Sequence, residues 1–174
     1  MFNLSDKIAV VTGGSRGIGK SICLKMAERG ANIAIVYSSD DKTALETEKE
    51  ISQFGHEVKI YKCDVSQDSE VKNLITQIIN KFKKIDILVN NAGIRDDKLA
   101  FNMDYNCFNK IIQTNLIGTF NMIHHSYLNF IKNNYGRIIN ISSTVGINGN
   151  IGQSNYAASK AGIIGLSKSI AKEL

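Results

Sequence analysis

A tyrosine and a lysine stand four residues apart in the segment QSNYAASKAGIIG, which covers residues 153–165. On an α-helix this spacing places the Tyr156 phenol and the Lys160 ammonium on one face, one turn apart. A phenol can give or take a proton, and a neighbouring positive charge stabilises the phenolate. The pair therefore indicates general acid–base chemistry, although tyrosine and lysine at this spacing are also common on helix surfaces.

A glycine-rich stretch, TGGSRGIG at residues 12–19, connects an apolar run to a helical pattern. The spacing of Gly13, Gly17 and Gly19 differs from the G-x-G-x-x-G dinucleotide fingerprint, but these glycines permit the same tight turn and close approach to a diphosphate. A helix that begins here presents unpaired N–H groups and a partial positive charge. The stretch predicts a dinucleotide site, and a turn that only requires positive φ is the alternative.

The end of the next apolar run bears on which dinucleotide would bind. An NAD site usually has Asp or Glu at this position, where the carboxylate binds the ribose hydroxyls of the adenosine. This chain has Tyr37, Ser38 and Ser39 there, and Arg16 lies in the glycine-rich loop. These residues favour the 2′-phosphate of NADP(H). Asp40 lies close enough to leave NAD open, and a solvated loop position is the alternative for Arg16.

Five apolar segments predict the strands that position these residues, and helical patterns lie between them. The segments are KIAVVT at 7–12, NIAIVYS at 32–38, EVKIYKC at 57–63, IDILVN at 85–90 and GRIINIS at 136–142. This alternation predicts a Rossmann-type doubly wound α/β fold, with a parallel sheet of order 3-2-1-4-5 in a three-layer α/β/α arrangement. We expect residues 1–174 to form a single dinucleotide-binding domain.

The helical patterns cover residues 17–30, 68–82, 104–132 and 154–174. In the first of them Ile18, Ile22 and Met26 fall on one stripe, and Gly30 is predicted to end the helix.

Composition argues against several classes of protein. No run approaches the roughly 20 apolar residues that span a bilayer, and the start MFNLSDKIAVV lacks a signal sequence, which predicts a cytoplasmic protein without a membrane partner. The net charge of +5 is spread over the helices and gives little support to nucleic-acid binding. Three widely spaced cysteines are expected to be buried free thiols: Cys23, Cys63 and Cys107. The histidines lack metal-ligand spacing, so we expect no metal site.

The glycine-rich turn, NNAG at 90–93, NISS at 140–143 and Tyr156-x-x-x-Lys160 occur in this order, and together they resemble the short-chain dehydrogenase/reductase family. The resemblance covers essentially the whole chain. The run from residue 136 to 174 is most similar to the subgroup that reduces 3-oxoacyl groups on acyl carrier protein in fatty acid synthesis, with NADPH as cofactor. Other alcohol and sugar dehydrogenases share much of this pattern.

Four residues correspond by this resemblance to the family's catalytic tetrad: Asn115, Ser143, Tyr156 and Lys160. Ser143 is preferred over Ser142 because the family keeps its serine thirteen residues before the tyrosine. The resemblance implies that Tyr156 donates the proton, that Lys160 supports it, and that Ser143 binds the substrate oxygen. Asn115 would hold a water that links Lys160 to solvent. A backbone bridge for Asn115 and a strand end for Ser143 are the structural alternatives.

The resemblance also implies which residues contact NADP(H). The set comprises Gly13, Ser15, Arg16, Gly17, Ile18 and Gly19 at the phosphates, Ser38 at the adenine ribose, Asp64 and Val65 at the adenine, Asn91 at the nearby ribose, and Tyr156 and Lys160 at the nicotinamide ribose.

Family members continue beyond the helix in which this chain ends at Leu174. We therefore expect a fragment whose fifth strand has an unpaired edge, and a truncated, inactive cofactor-binding module is an alternative to the enzyme. The family also pairs its long helices between subunits, which implies a homo-oligomer, by resemblance a tetramer. Ala157, Ala161 and Gly165 are candidates for that contact, with burial inside the chain as the alternative. Docking of an acidic carrier protein would use Lys132, which two asparagines follow.

Overall fold

The computed structural model describes residues 3–174, and its centre is a sheet of five parallel strands. The strands are β1 (Ile8–Thr12), β2 (Asn32–Tyr37), β3 (Val58–Lys62), β4 (Ile87–Asn90) and β5 (Arg137–Asn140). Each strand lies inside its predicted segment, and the order β3-β2-β1-β4-β5 confirms the predicted topology. This is a Rossmann-type doubly wound sheet.

Helices connect the strands. They are α1 (Gly17–Ala27), α2 (Asp41–Ser52), α3 (Asp68–Phe82), α4 (Tyr105–Ile112), α5 (Gly118–Asn133), α6 (Val145–Asn148) and α7 (Ser154–Glu173). A 3₁₀ turn, Ala100–Asn102, precedes α4, and a π-helical segment, Gln113–Ile117, joins α4 to α5. The prediction of one regular α-helix over 104–132 is therefore wrong, because a π-helical segment divides this region into two α-helices.

Alternate residues of the central strands pack on opposite faces of the sheet. In β1, Val10 joins a cluster with residues of α3 and α5, and Val11 joins a second cluster with residues of α1 and α2. All five residues of β1 are buried, because parallel strands carry helices on both faces. Because the strands are parallel, their carboxyl ends lie at the same edge of the sheet, where the loops that follow them meet.

The first helix faces the sheet with small residues. α1 buries Gly19, Cys23 and Ala27, whereas Ile18 is 66% exposed. Ile22 and Met26 of the predicted stripe are half-buried against the cluster that contains Cys23 and Ala27, so only Ile18 of the stripe lies outside the packed face. Gly30 follows the helix at φ +98, as predicted for its end.

The three cysteines are buried free thiols, as predicted, and burial raises the pKa of Cys23 and of Cys63 to about 12. The strand β5 pairs with β4 alone, so its other edge is free of strand partners within residues 3–174. In that same range no helix has the length and apolar character needed to cross a membrane, and no group of three metal-ligating side chains occurs.

Candidate active site

The loop between β1 and α1 forms a glycine-lined cradle. Gly13 and Gly17 have φ of +63 and +55, a conformation that side chains with a Cβ rarely adopt. A methyl group on Gly19 would overlap the main-chain oxygen of Gly13 and lie 2.6 Å from Asn91 Nδ2. The sequence therefore needs glycine here for two reasons, backbone conformation and close packing.

Asn91, which follows β4, holds this loop in place. Its Nδ2 donates to the carbonyl of Thr12 at 2.9 Å and to that of Gly13 at 3.2 Å. In return, Thr12 Oγ1 accepts the main-chain N–H groups of Asn91 and Ala92, each at 3.0 Å. The NNAG motif thus supports the loop, and residues 79 positions apart in sequence meet.

A cavity of about 340 Å³ lies at the carboxyl ends of β1, β2 and β4. Nine of the residues predicted to bind the cofactor line it: Gly13, Ser15, Arg16, Gly17, Ile18, Ser38, Asp64, Val65 and Asn91. Gly19 is buried behind the loop. This position, beside the first strand where the chain switches direction across the sheet, is where open α/β sheets bind ligands.

Two carboxylates near this cavity are already occupied. Asp40 caps α2, accepting from the N–H of Thr43 at 3.0 Å and from its hydroxyl at 2.6 Å. These hydrogen bonds, with a smaller contribution from the charge of Arg16, lower the pKa of Asp40. The ammonium of Lys62 lies 2.9 Å from Asp41 and lowers the pKa of that carboxyl.

Arg16, unlike Asp40 and Asp41, has no charged or hydrogen-bonding partner for its side chain among the described residues. Its guanidinium is exposed at the cavity and has no ion-pair partner among residues 3–174. A cation without an ion-pair partner in this range therefore lies at the cavity.

The π-helical segment places the Asn115 side chain in the interior, between the chain after β4 and α7. Asn115 has no exposed surface, its Oδ1 accepts the N–H of Ile94 at 2.8 Å, and its Nδ2 donates to the Ile94 carbonyl at 3.0 Å. The same Nδ2 lies 3.2 Å from Ser159 Oγ on α7. Single π-helical turns are frequent at functional sites. Here the turn ties the chain after β4 to the helix that carries Tyr156.

Lys160 is a buried cation without an acidic partner in the described part of the chain. It is 4% exposed, and its Nζ donates to the Ile141 carbonyl at 2.7 Å. Burial lowers its pKa below the usual range for lysine. The Nζ also lies 5.6 Å from the centre of the Tyr156 ring. An unpaired buried ammonium is costly, and such a group commonly marks a functional site.

Three of the predicted catalytic residues come together at one point beside the cavity. A methyl group built on Gly93, which lines the cavity, would lie 3.3 Å from Asn115 Oδ1 and 3.8 Å from Lys160 Nζ. The centre of the Tyr156 ring lies 5.6 Å from the same Nζ, so the amide of Asn115 and the ring of Tyr156 both lie near the Lys160 ammonium.

The two serines that follow β5 have different environments. Ser142 Oγ donates to the Lys160 carbonyl at 2.9 Å, so this hydroxyl helps hold α7. Ser143 Oγ accepts only the nearby N–H of Val145, at 3.2 Å, so its proton is free to donate. Ser143 stands just before α6, where a methyl on Gly146 would lie 2.9 Å from Lys160 Cβ. These contacts favour Ser143 over Ser142 as the hydroxyl available to a ligand.

Sequence reasoning missed several residues that support this site. Gln153 Nε2 donates to Asp97 at 2.8 Å and Asn155 Nδ2 donates to the Asp96 carbonyl at 3.0 Å, which fastens the first turn of α7 to the chain after β4. Thr47 Oγ1 donates to the Ser15 carbonyl at 2.8 Å. A polar residue on the apolar face of a helix is the only signal that could have indicated Thr47.

The sequence profile described as short chain dehydrogenase matches residues 7–174. The chain therefore belongs to the short-chain dehydrogenase family, oxidoreductases that bind a nicotinamide cofactor. It is 43% identical over 169 residues to the 3-oxoacyl-(acyl-carrier-protein) reductase FabG of Staphylococcus epidermidis, covering 97% of this chain and 69% of that protein. The corresponding reductase of Aquifex aeolicus is 39% identical over 171 residues, covering 98% and 69%.

A solved structure is similar over nearly the whole chain. The crystal structure of NAD⁺-bound xylitol dehydrogenase superposes with a TM-score of 0.95 at 29% identity, covering 99% of this chain and 66% of that one. The chain thus spans about two thirds of the length of the relatives that it matches.

Proposed function

We propose that this protein uses NADPH to reduce a 3-oxoacyl thioester, carried on acyl carrier protein, to the 3-hydroxyacyl form. The observation that carries the chemistry is the convergence of Lys160, Asn115 and Tyr156 beside the cavity. The substrate class is supported by the identity to reductases of that name, which exceeds the 29% identity to xylitol dehydrogenase. The role belongs to fatty acid synthesis.

The residues present fit a dinucleotide. Gly13, Gly17 and Gly19 leave a cradle that a Cβ would fill. α1 begins at Gly17 with no side chain capping its first N–H groups within the described residues, so these donors are available to a diphosphate. We assign Ser15, Ile18, Ser38, Asp64, Val65 and Asn91 to the remaining cofactor contacts around the same cavity.

The proposed mechanism divides the work between cofactor and protein. Bound NADPH supplies the hydride. The Tyr156 hydroxyl donates the proton to the ketone oxygen, and the charge of Lys160 stabilises the phenolate that remains. The free hydroxyl proton of Ser143 donates to the same oxygen as negative charge grows on it. Asn115 holds the main chain at Ile94 through two hydrogen bonds. By family resemblance it also holds a water that links Lys160 to solvent and re-protonates Tyr156.

The engaged carboxylates support NADPH over NADH. Asp40 is the acid next to the position from which a carboxylate would bind the ribose hydroxyls, and its two oxygens hold the start of α2 by accepting from Thr43. Arg16 and Ser38 remain free at the cavity, and an arginine matches the geometry of a phosphate.

We expect Arg16→Ala to raise the Kd of NADPH by about tenfold or more while changing that of NADH little, the scale of one lost charged hydrogen bond. Cofactor fluorescence titration of the purified protein measures both values. Arg29→Ala, at an exposed arginine beyond the end of α1, is the matched control. An unchanged ratio of the two Kd values would contradict the choice of NADPH.

The reaction itself is tested with two substrate classes. We expect NADPH oxidation, followed at 340 nm, with an acetoacetyl thioester on acyl carrier protein, and no NAD⁺ reduction with xylitol or related polyols. Polyol oxidation would instead favour an alcohol or sugar dehydrogenase. Cofactor binding without turnover of either class would favour a cofactor-binding module.

The proposal extends to assembly and location. Ala161 and Gly165 are exposed, so burial inside the chain does not explain them, whereas Ala157 is half-buried. The outer face of α5 exposes Phe120, Leu128 and Ile131, which is consistent with a homo-oligomer, and we propose a tetramer. We further propose a single domain over 1–174, a cytoplasmic location, and an acidic carrier protein that docks near Lys132.

A further inference from the structure

Thr47 is a hydroxyl residue on the buried face of α2. It lies between the buried Ala44 and Ile51 and has no exposed surface. Its Oγ1 donates a 2.8 Å hydrogen bond to the carbonyl of Ser15, 32 residues earlier. Buried polar groups need partners, and this one uses a main-chain group of the glycine-rich loop.

This hydrogen bond fixes the peptide group between Ser15 and Arg16. The carbonyl and the N–H of a trans peptide point in opposite directions. Because the Ser15 carbonyl is turned toward α2, the N–H of Arg16 points away from it. Arg16 is correspondingly extended, with φ −152 and ψ 169, and α1 begins at the next residue.

The Ser15 carbonyl takes no part in the hydrogen bonds of α1. In residues 3–174 the Ser15 carbonyl accepts no N–H from α1, and the first main-chain bond across the helix start runs from Lys20 to the carbonyl of Arg16. Among the described residues, the Thr47 hydroxyl is therefore the hydrogen-bond donor that fixes the direction of this carbonyl.

We infer that Thr47 is a positioning residue that sets cofactor preference by holding the Ser15–Arg16 peptide so that Arg16 reaches the 2′-phosphate. The inference rests on the proposed preference for NADPH. Thr47 does not line the cavity, so its effect must pass through the loop.

The test replaces the hydroxyl by a methyl group of the same size. Thr47→Val should raise the Kd of NADPH about tenfold and that of NADH less than about threefold, because the contact proposed for Arg16 is to the 2′-phosphate, which NADH lacks. Thr47→Ser, which keeps the hydroxyl, should restore the wild-type ratio of the two values. Thr47→Ala admits water to the Ser15 carbonyl and is measured in parallel, so that a folded variant is compared even if the valine variant is unstable.

A control and a double variant separate this role from general stability. Thr76 on α3 donates its hydroxyl to a carbonyl of its own helix at 2.9 Å, so Thr76→Val is the matched control and should leave both Kd values unchanged. In the Arg16→Ala background, Thr47→Val should no longer change the ratio, because the two residues act on one contact.

The outcomes distinguish the two proposals. The wild-type ratio of Kd values tests the choice of NADPH, whereas the change on substitution tests Thr47. The role of Thr47 would be overturned if Thr47→Val weakened the binding of both cofactors equally or of neither. It would also be overturned if Thr47→Val changed the ratio of the two Kd values as much in the Arg16→Ala background as in the wild type.

Discussion

Replacing Tyr156 by phenylalanine is expected to lower the turnover of the 3-oxoacyl substrate by at least about 10²-fold, the scale of general acid catalysis. The ring and its packing are kept, and only the hydroxyl that donates the proton is lost. Because Lys160 and the glycine-rich loop remain in place, we expect the Kd of NADPH to change little. Steady-state kinetics and fluorescence titration of the same preparation measure the two quantities.

Tyr105→Phe is the control for this variant. Tyr105 lies on α4 and is 76% exposed, so the loss of its hydroxyl should not affect turnover. Turnover of Tyr156→Phe close to that of the wild type would rule out the phenol as proton donor, whichever substrate is used.

Replacing Lys160 by alanine is expected to weaken both cofactor binding and catalysis. The Lys160 ammonium lies 5.6 Å from the centre of the Tyr156 ring and near the cavity wall at Gly93. We expect kcat/KM to fall by at least about 10²-fold, because the Tyr156 phenolate is no longer stabilised by a buried positive charge. We also expect a higher Kd of NADPH, because the nicotinamide ribose loses its proposed contact with the same ammonium.

Lys168→Ala provides the comparison, because Lys168 lies on the same helix two turns later and is exposed. Thermal unfolding followed by circular dichroism establishes that both variants are folded. A folded Lys160→Ala protein with unchanged kcat/KM would contradict the proposed mechanism.

The strands were predictable because their signal is local. β1, β2 and β4 are apolar over almost their whole length, and this composition is typical of strands covered on both faces. The glycine-rich turn was also predictable, since Gly13 and Gly17 adopt backbone conformations that few other residues can reach. Only the exact strand ends differed, by one or two residues.

The helix faces were less predictable. The stripe through Ile18 has helical period, but the fully buried positions of α1 are Gly19, Cys23 and Ala27, and Ile22 and Met26 are only half-buried. Likewise, the run from 104 to 132 shows no sequence break where the π-helical segment lies. That widening depends on Asn115 reaching Ile94, a contact between segments 21 residues apart.

The sequence by itself determined the types and order of the chemical groups: a glycine-rich loop, an arginine beside it, and a tyrosine and lysine one helical turn apart. The tertiary structure decided which of these groups are free. The Ser142 hydroxyl donates to the Lys160 carbonyl, and the Ser15 carbonyl accepts from Thr47. The physical reason is that a residue's own type sets what it can donate or accept, whereas its partner is chosen by the packing of elements distant in sequence.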